Sequence, residues 1–281
     1  MSVQNFIPAI WAAEIHFTLR KTHVHAGVAN RSYEGQIKNA GDRVKLNQVG
    51  DVTVSTYVPN STSITPQELT DAQRELIIDQ MKYFAFKVDD VDAAQANVEF
   101  MTSVSEQSAY GLRDVADVYM AGLYTQNALA YGTNTTPIDV NSANVEEAIL
   151  TAGETMTENN VQMENRYMVI APWVQTKLIL AGLATLSDNV DLFNNGRIGA
   201  ALGFDFRVSV NVSKNSASWD KTRNQAGILN QTLGYAEQIT TIEAYRPESG
   251  FSDAIKGLMV YGAKVTRPDK GLTAYFDKTA E

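Results

Sequence analysis

A helical repeat of apolar and small residues runs through residues 91–130, the longest regular pattern in the chain. The steps between these positions are mostly three and four, so they share one helix face: Val91, Ala94, Val98, Met101, Ser105, Ser108, Leu112, Val115, Tyr119, Gly122 and Leu129. No proline interrupts the segment, which predicts one helix of about 60 Å ending at Gly132. Such a pattern is typical of a long core or coiled-coil helix, or of the spine of an elongated, assembling subunit.

Two extended segments precede this helix. Val44 and Leu46 alternate with Arg43, Lys45 and Asn47, which is the period of a half-exposed strand. Residues 76–88 again favour a strand, and residues 59–66 between the two segments are polar and rich in turn formers. This predicts a hairpin-like loop of about fifty residues, which needs a partner surface in the same subunit or another.

The rest of the chain mixes helices and strands without a regular βαβ rhythm. Helices are predicted at residues 145–156, with Ser142 or Asn144 as N-cap, and from Pro172 to Gly182, with a short amphipathic helix within residues 6–19. Strands are predicted at 166–171, 204–212, 225–229, 255–267 and 272–276, loops at 133–141 and 215–224, and residues 233–244 stay undecided. This order predicts an α+β fold.

Composition narrows the class of protein. The 281 residues contain no Cys, which removes disulfides, thiolate metal sites and thiol catalysis. No apolar run approaches the roughly 18 residues of a membrane span, and the first ten residues lack the pattern of a signal peptide. We therefore expect a protein made in a reducing cytoplasm.

Charge is distributed unevenly along the chain, which has a net charge of −9. Residues 1–50 hold six Lys/Arg against three Asp/Glu, residues 51–164 hold four against eighteen, and residues 165–281 hold thirteen against eleven. A basic first segment and an acidic middle indicate either unlike surfaces that meet between copies or a simple solvated acidic face.

Catalytic signatures do not occur in the sequence. It contains no phosphate-binding loop, no nucleophile elbow and no zinc-protease motif. All three histidines (His16, His23 and His25) fall in one short segment, too few ligands for a metal site by themselves. We therefore expect no enzyme, no catalytic residue, no cofactor and no metal.

Several short phrases, in this order along nearly the whole chain, resemble a known family. They are residues 6–11, 33–35 followed by 41–44, 78–80 with Phe84, Phe86 and Val88, 199–204 leading into 208–211, and 255–258 running through 261–268. The sequence resembles the major capsid proteins of tailed bacteriophages, which have the Hong Kong 97 fold. Several of these phrases look like the branch that includes the coat proteins of the Salmonella-phage type, and the chain has no room for the large inserted domain that some relatives carry.

The resemblance implies a division of the chain and a function. Residues 1–30 would be an N-terminal arm, 31–89 an extended loop, 90–139 with 251–281 a P-domain containing the spine helix, and 140–250 an A-domain. The chain would self-assemble into hexamers and pentamers of an icosahedral shell enclosing double-stranded DNA, without sequence-specific DNA binding and without a membrane. Scaffold, portal and cement proteins are further candidate partners, and the expected location is the virion capsid, assembled in the host bacterial cytoplasm.

The residues expected at interfaces between subunits are apolar anchors and outward-facing charges: Phe6, Trp11, Arg43, Lys45, Phe84 and Phe86. Two other classes of function remain open at this point. One is a nucleic-acid-binding protein that uses the basic arm, against which the net charge of −9 argues. The other is a cytoplasmic enzyme or binding protein with an elongated helical dimerisation element.

Overall fold

The computed structural model describes residues 24–32, 43–49, 56, 59, 71–89, 98–182, 197–214, 220–245 and 252–278. Within these ranges the helices are α1 (Val98–Leu123), α2 (Val145–Glu158) and α3 (Pro172–Leu180). The strands are β1 (Arg43–Val49), β2 (Asp71–Ile77), β3 (Gln80–Asp89), β4 (Leu129–Tyr131), β5 (Ile138–Val140), β6 (Arg166–Ile170), β7 (Arg197–Ala201), β8 (Phe204–Val208), β9 (Lys221–Ile228), β10 (Leu233–Tyr245), β11 (Ser252–Val265) and β12 (Leu272–Lys278). The predicted α+β class is confirmed.

A three-stranded antiparallel sheet and α1 form an elongated part of the subunit. Its strand order is β10-β11-β3, with β3 at one edge. Helix α1 packs on one face, where the ring of Tyr119 meets Tyr261 edge-on at a centroid distance of 5.6 Å. The helix has a 3.6-residue pattern, so Leu112, Ala116 and Met120 are buried together on that side.

A mixed sheet forms the second part, in the order β4-β12-β9-β6-β8-β7, with β5 also paired to β12. All five residues of β6 are buried, as expected for a central strand covered on both faces. One core contains Ile149 and Met156 of α2, Val174 of α3, residues of α1, and Tyr235 of the three-stranded sheet. The two sheets therefore belong to one continuous hydrophobic core.

The extended segments pair only in part as predicted. Strands β1 and β2 form an antiparallel ladder, in which Val44 lies opposite Leu76. Strand β3, which follows directly, pairs with β11 instead of β1. Val44, Leu76 and Ile78 form a small second cluster with Ala236 and Val260, so part of the partner surface of the hairpin lies in its own subunit.

The long helix ends earlier than predicted. Residue 123 is the last of α1, a 3₁₀ turn covers Tyr124–Gln126, and residues 129–131 form β4. The predicted stop at Gly132 is wrong because β4 pairs with β12, and tertiary pairing outweighs the helical pattern. Residues 91–97, the predicted beginning of the helix, lie outside the described residues.

Two further boundaries differ from the predictions. The strict alternation in 204–212 predicts one strand, but β8 ends at Val208 and Val210 is 64% exposed in a turn. Residues 221–224 belong to β9 rather than to a polar loop, because Asn224 is buried and accepts a hydrogen bond from the Ala171 N–H at 3.0 Å. The undecided residues 233–244 belong to β10, and the predicted 133–141 loop contains β5.

The local signals for α2 and α3 are largely confirmed. Asn144 is the N-cap residue of α2, but its side-chain oxygen accepts from the N–H of Asn141 and not from the helix. Pro172 occupies the first turn of α3, where its fixed φ favours the helix. Gly182 follows the end of α3 with φ +94°, which only glycine adopts readily.

Candidate assembly surfaces

Strand β3 presents two different faces. Phe84 and Phe86 point to the side covered by α1, where their rings stack at a centroid distance of 6.2 Å. A Cβ atom added to Gly257 would lie 2.3 Å from Cε1 of Phe84, so this ring lies directly over the glycine. Both residues are half-buried in their own subunit, and their predicted contact with another subunit stays a prediction.

The opposite face of β3 is open to solvent. Tyr83 is 79% exposed and Met81 is 59% exposed, although both side chains are largely apolar. They lie opposite Leu258 and Val260 of β11, the residues on which the β1–β2 hairpin packs. The hairpin thus covers one end of this sheet face and leaves Met81 and Tyr83 uncovered within the described part of the chain.

The close approach of the hairpin to the sheet depends on Gly262. A Cβ atom at this position would lie 2.3 Å from the carbonyl oxygen of Ile77, at the end of β2. Backbone atoms cannot move aside as a flexible side chain can, so only glycine fits without displacing the hairpin. This contact fixes where the hairpin leaves the body of the subunit.

The outer face of the hairpin is charged. Arg43 Nη1 lies 3.0 Å from Glu75 Oε2, and the register places Lys45 directly opposite the same glutamate. Arg43 is exposed while Val44 is buried, as their alternation predicted. Both predicted interface cations therefore flank an acid of their own chain, and their contact with another subunit remains untested.

An apolar strip follows the exposed side of α1. Val115 and Val118 share this side and are exposed, and the exposed Tyr110 lies at its border. The guanidinium of Arg113 lies 4.2 Å from the centre of the Tyr110 ring, a cation–π contact. Exposed apolar side chains grouped on one helix face indicate a contact surface.

A polar junction is buried on the inner side of α1. The backbone N–H of His25 donates to Asp117 Oδ1 at 3.3 Å, which ties residue 25 to the helix. Burial raises the pKa of Asp117 to about 6, although hydrogen bonds from His25 and Asn211 and the charge of Arg113 oppose the rise. Burial also lowers the pKa of His25 to about 3, so this ring is neutral near pH 7.

The outer face of α2 is acidic. Glu147, Glu154 and Glu158 are exposed on it together with Leu150, which is 52% exposed. Met163 lies in the segment between α2 and β6 and is 68% exposed. The helix contains no Lys or Arg, so this surface combines negative charge with two uncovered apolar side chains.

The fold of the chain is similar to several solved phage structures. A structure from Mycobacterium phage Che8 is similar over 92% of this chain and 93% of that chain, with a TM-score of 0.74 and 28% identity. The capsid structure of the cyanophage P-SCSP1u is similar over 92% of this chain and 89% of that chain, with a TM-score of 0.67 and 18% identity. The mature capsid of bacteriophage PhiM1 is similar over 92% of this chain and 88% of that chain, with a TM-score of 0.66 and 15% identity.

No protein-family model matches the sequence, and neither does any curated protein. The structural likeness nevertheless extends over nearly the full length of both partners in each comparison. The chain therefore has the α+β Hong Kong 97-like fold of phage capsid structures. The fold that the family resemblance of the sequence implied is thereby confirmed.

The exposed surfaces of the chain extend beyond the six predicted interface residues. Phe6 and Trp11 lie outside the described residues, so their contacts stay predictions. Sequence reasoning missed Met81, Tyr83 and Leu150. The alternation in β3 does carry a signal for Met81 and Tyr83, but it does not tell which face α1 covers.

The described part of the chain contains neither a metal-binding cluster nor a membrane-spanning helix. Within it, no group of three or more His, Asp or Glu side chains is arranged to hold a metal ion. None of the helices in the described ranges is both long and apolar enough to span a membrane.

Proposed function

We propose that this chain is a tailed-phage major capsid protein, which self-assembles into hexamers and pentamers that close an icosahedral shell around double-stranded DNA. The observation that carries the proposal is the likeness over 92% of the chain, with a TM-score of 0.74 and 28% identity, to a phage structure. The capsid structures with similar coverage support it. Residues 1–30, 31–89, 90–139 with 251–281, and 140–250 would then serve as arm, extended loop, P-domain and A-domain.

Assembly is supported physically by the separate exposed surfaces of the subunit. Apolar side chains are uncovered on β3, on α1 and on α2, at positions such as Tyr83, Val118 and Leu150. A small exposed surface holds two subunits only weakly by itself, but a closed shell repeats every contact many times. Weak contacts of this kind suit a shell that corrects errors as it grows.

The proposed relation to DNA is enclosure without tight binding. The chain has a net charge of −9, and binding to phosphates requires clustered Lys and Arg. Packaged DNA would therefore remain free of sequence-specific contacts. We place the protein in the virion capsid after assembly in the host bacterial cytoplasm, with scaffold, portal and cement proteins as candidate partners.

The proposal is tested by expressing the chain in bacteria, alone and with a candidate scaffold protein, and examining the product by gradient sedimentation and electron microscopy. Shells, or capsomers with five-fold and six-fold symmetry, are the expected result. A small stable oligomer under all conditions would contradict the proposal. Loss of that oligomer on Val118→Glu would then favour the alternative of an enzyme or binding protein that dimerises through the strip on α1.

A further inference from the structure

The exposed edge of β3 combines apolar and basic side chains. We call this surface the β3 rim and define it as Met81, Lys82, Tyr83 and Lys87, all of which are exposed. Lys82 and Lys87 lie on opposite faces of the strand, but a partner that approaches an edge strand meets both faces. Between Asp79 and Asp89 the strand carries these two cations and no acid.

The exposed face of α2 has the complementary composition. We call this surface the α2 face and define it as Glu147, Leu150, Glu154 and Glu158. Its acids stand at spacings of three and four residues around the exposed Leu150, and the helix contains no cation to neutralise them. One surface is thus apolar and positive, and the other is apolar and negative.

The two surfaces also match in length. Lys82 and Lys87 are five strand residues apart, or about 16 Å. Glu147 and Glu158 are eleven helical residues apart, again about 16 Å. With Lys82 opposite Glu147 and Lys87 opposite Glu158, Tyr83 lies about 3 Å beyond Lys82 and Leu150 about 4 Å beyond Glu147. The two apolar side chains are therefore at nearly the same level along the contact.

We propose that the β3 rim of one copy docks on the α2 face of the next copy. The inference rests on the proposed function, because it assigns the contact between neighbours in a capsomer to these residues. Two different surfaces of one chain that bind each other form a head-to-tail contact, which closes into a ring when the rotation between copies fits. Such a contact produces five- and six-membered rings without any second kind of interface.

The absence of cysteine from the sequence makes a direct test possible. Tyr83→Cys and Leu150→Cys are introduced into one chain, and assembled particles are treated with a short bifunctional maleimide. The expected product is a ladder of covalent multimers on a denaturing gel, rising to five and six chains. Each single variant should give no ladder, because its thiols would not meet in a head-to-tail contact.

A charge exchange gives a second, independent readout. Lys82→Glu with Lys87→Glu should slow assembly about tenfold at low salt, since exposed pairs become repulsive. Glu147→Lys with Glu158→Lys should slow it similarly, although it lowers the net negative charge and would speed assembly if only overall repulsion mattered. The fourfold variant should recover to within about threefold of the natural rate, because the pairs are restored in reversed order.

Matched controls separate the possible outcomes. Arg267→Glu with Lys278→Glu makes the same change in net charge at two exposed positions that belong to neither surface and should assemble more nearly at the natural rate. Shells without a ladder, together with no recovery in the fourfold variant, would overturn this contact and leave the proposed function intact. Failure of the unmodified chain to form any shell or capsomer would instead overturn the proposed function.

Discussion

At the scale of single residues, the surroundings of the buried Asp117 carboxyl shift its pKa. It joins residue 25 to α1 through a hydrogen bond, yet burial raises its pKa from 3.8 to about 6. A raised pKa means that the folded subunit binds this proton more tightly than the unfolded chain does. The stability that this group contributes is therefore greatest below pH 4 and is lost as the pH rises to about 6.

Asp117→Asn should stabilise the subunit near pH 7.5 by about 1–2 kcal/mol, because it removes a buried charge and keeps an oxygen that accepts from His25. The advantage should shrink as the pH falls toward 4, where the natural side chain is also neutral. Urea unfolding of free subunits at both pH values measures the difference. Asp114→Asn on the same helix is the control, and an equal gain from both variants would contradict the role of burial.

At the scale of secondary-structure elements, sequence reasoning succeeds where one local signal decides. The five apolar-rich residues of β6 and the proline at the start of α3 were sufficient to predict both elements. The end of α1 could not be predicted, because β4 takes over the apolar pattern and pairs with a strand over 140 residues later in the chain. Likewise, β3 alternates two faces that both carry aromatic rings, and only the position of α1 makes one of them internal.

The attachment of the β1–β2 hairpin can be tested at Gly262. Gly262→Ala should loosen the hairpin, because the new Cβ would collide with the carbonyl oxygen of Ile77. Hydrogen exchange should then speed up in β1 and β2 by about tenfold, which corresponds to a loss of roughly 1.4 kcal/mol. Gly111→Ala is the control, because its Cβ would meet no atom within 4 Å; unchanged exchange in Gly262→Ala would disprove this tight contact.

The role of Arg43 and Lys45 is a separate question for the same hairpin. Reversing both to Glu should slow shell assembly at low salt, but it would also place two new acids beside Glu75, which repel it. Adding Glu75→Lys restores the attraction between the two strands of the hairpin. The charges at positions 43 and 45, which would contact another subunit, stay reversed. If assembly stays slow in this triple variant, the two cations contact a neighbouring copy; recovery of the natural rate would confine them to their own chain.

At the scale of the whole molecule, overall repulsion and local attraction oppose each other. A subunit with a net charge of −9 repels its copies, yet the proposed contact sets the lysines of β3 against the glutamates of α2. The ions of a close pair attract at about 4 Å, inside the Debye length of about 10 Å at 0.1 M salt, while net charges repel over longer distances. Whether salt speeds or slows assembly therefore tells whether overall repulsion or local attraction controls the rate.

We expect salt to slow the assembly of free subunits, because the Debye length falls to about 3 Å at 1 M and the attraction that aligns neighbours is screened. Shells completed at low salt and then moved to 1 M salt should persist, because apolar contacts such as that of Tyr83 do not weaken in salt. Light scattering follows the assembly rate, and sedimentation measures the surviving shells. Faster assembly at 1 M salt would show that net repulsion dominates, and the rim lysines would then contribute little to how copies meet.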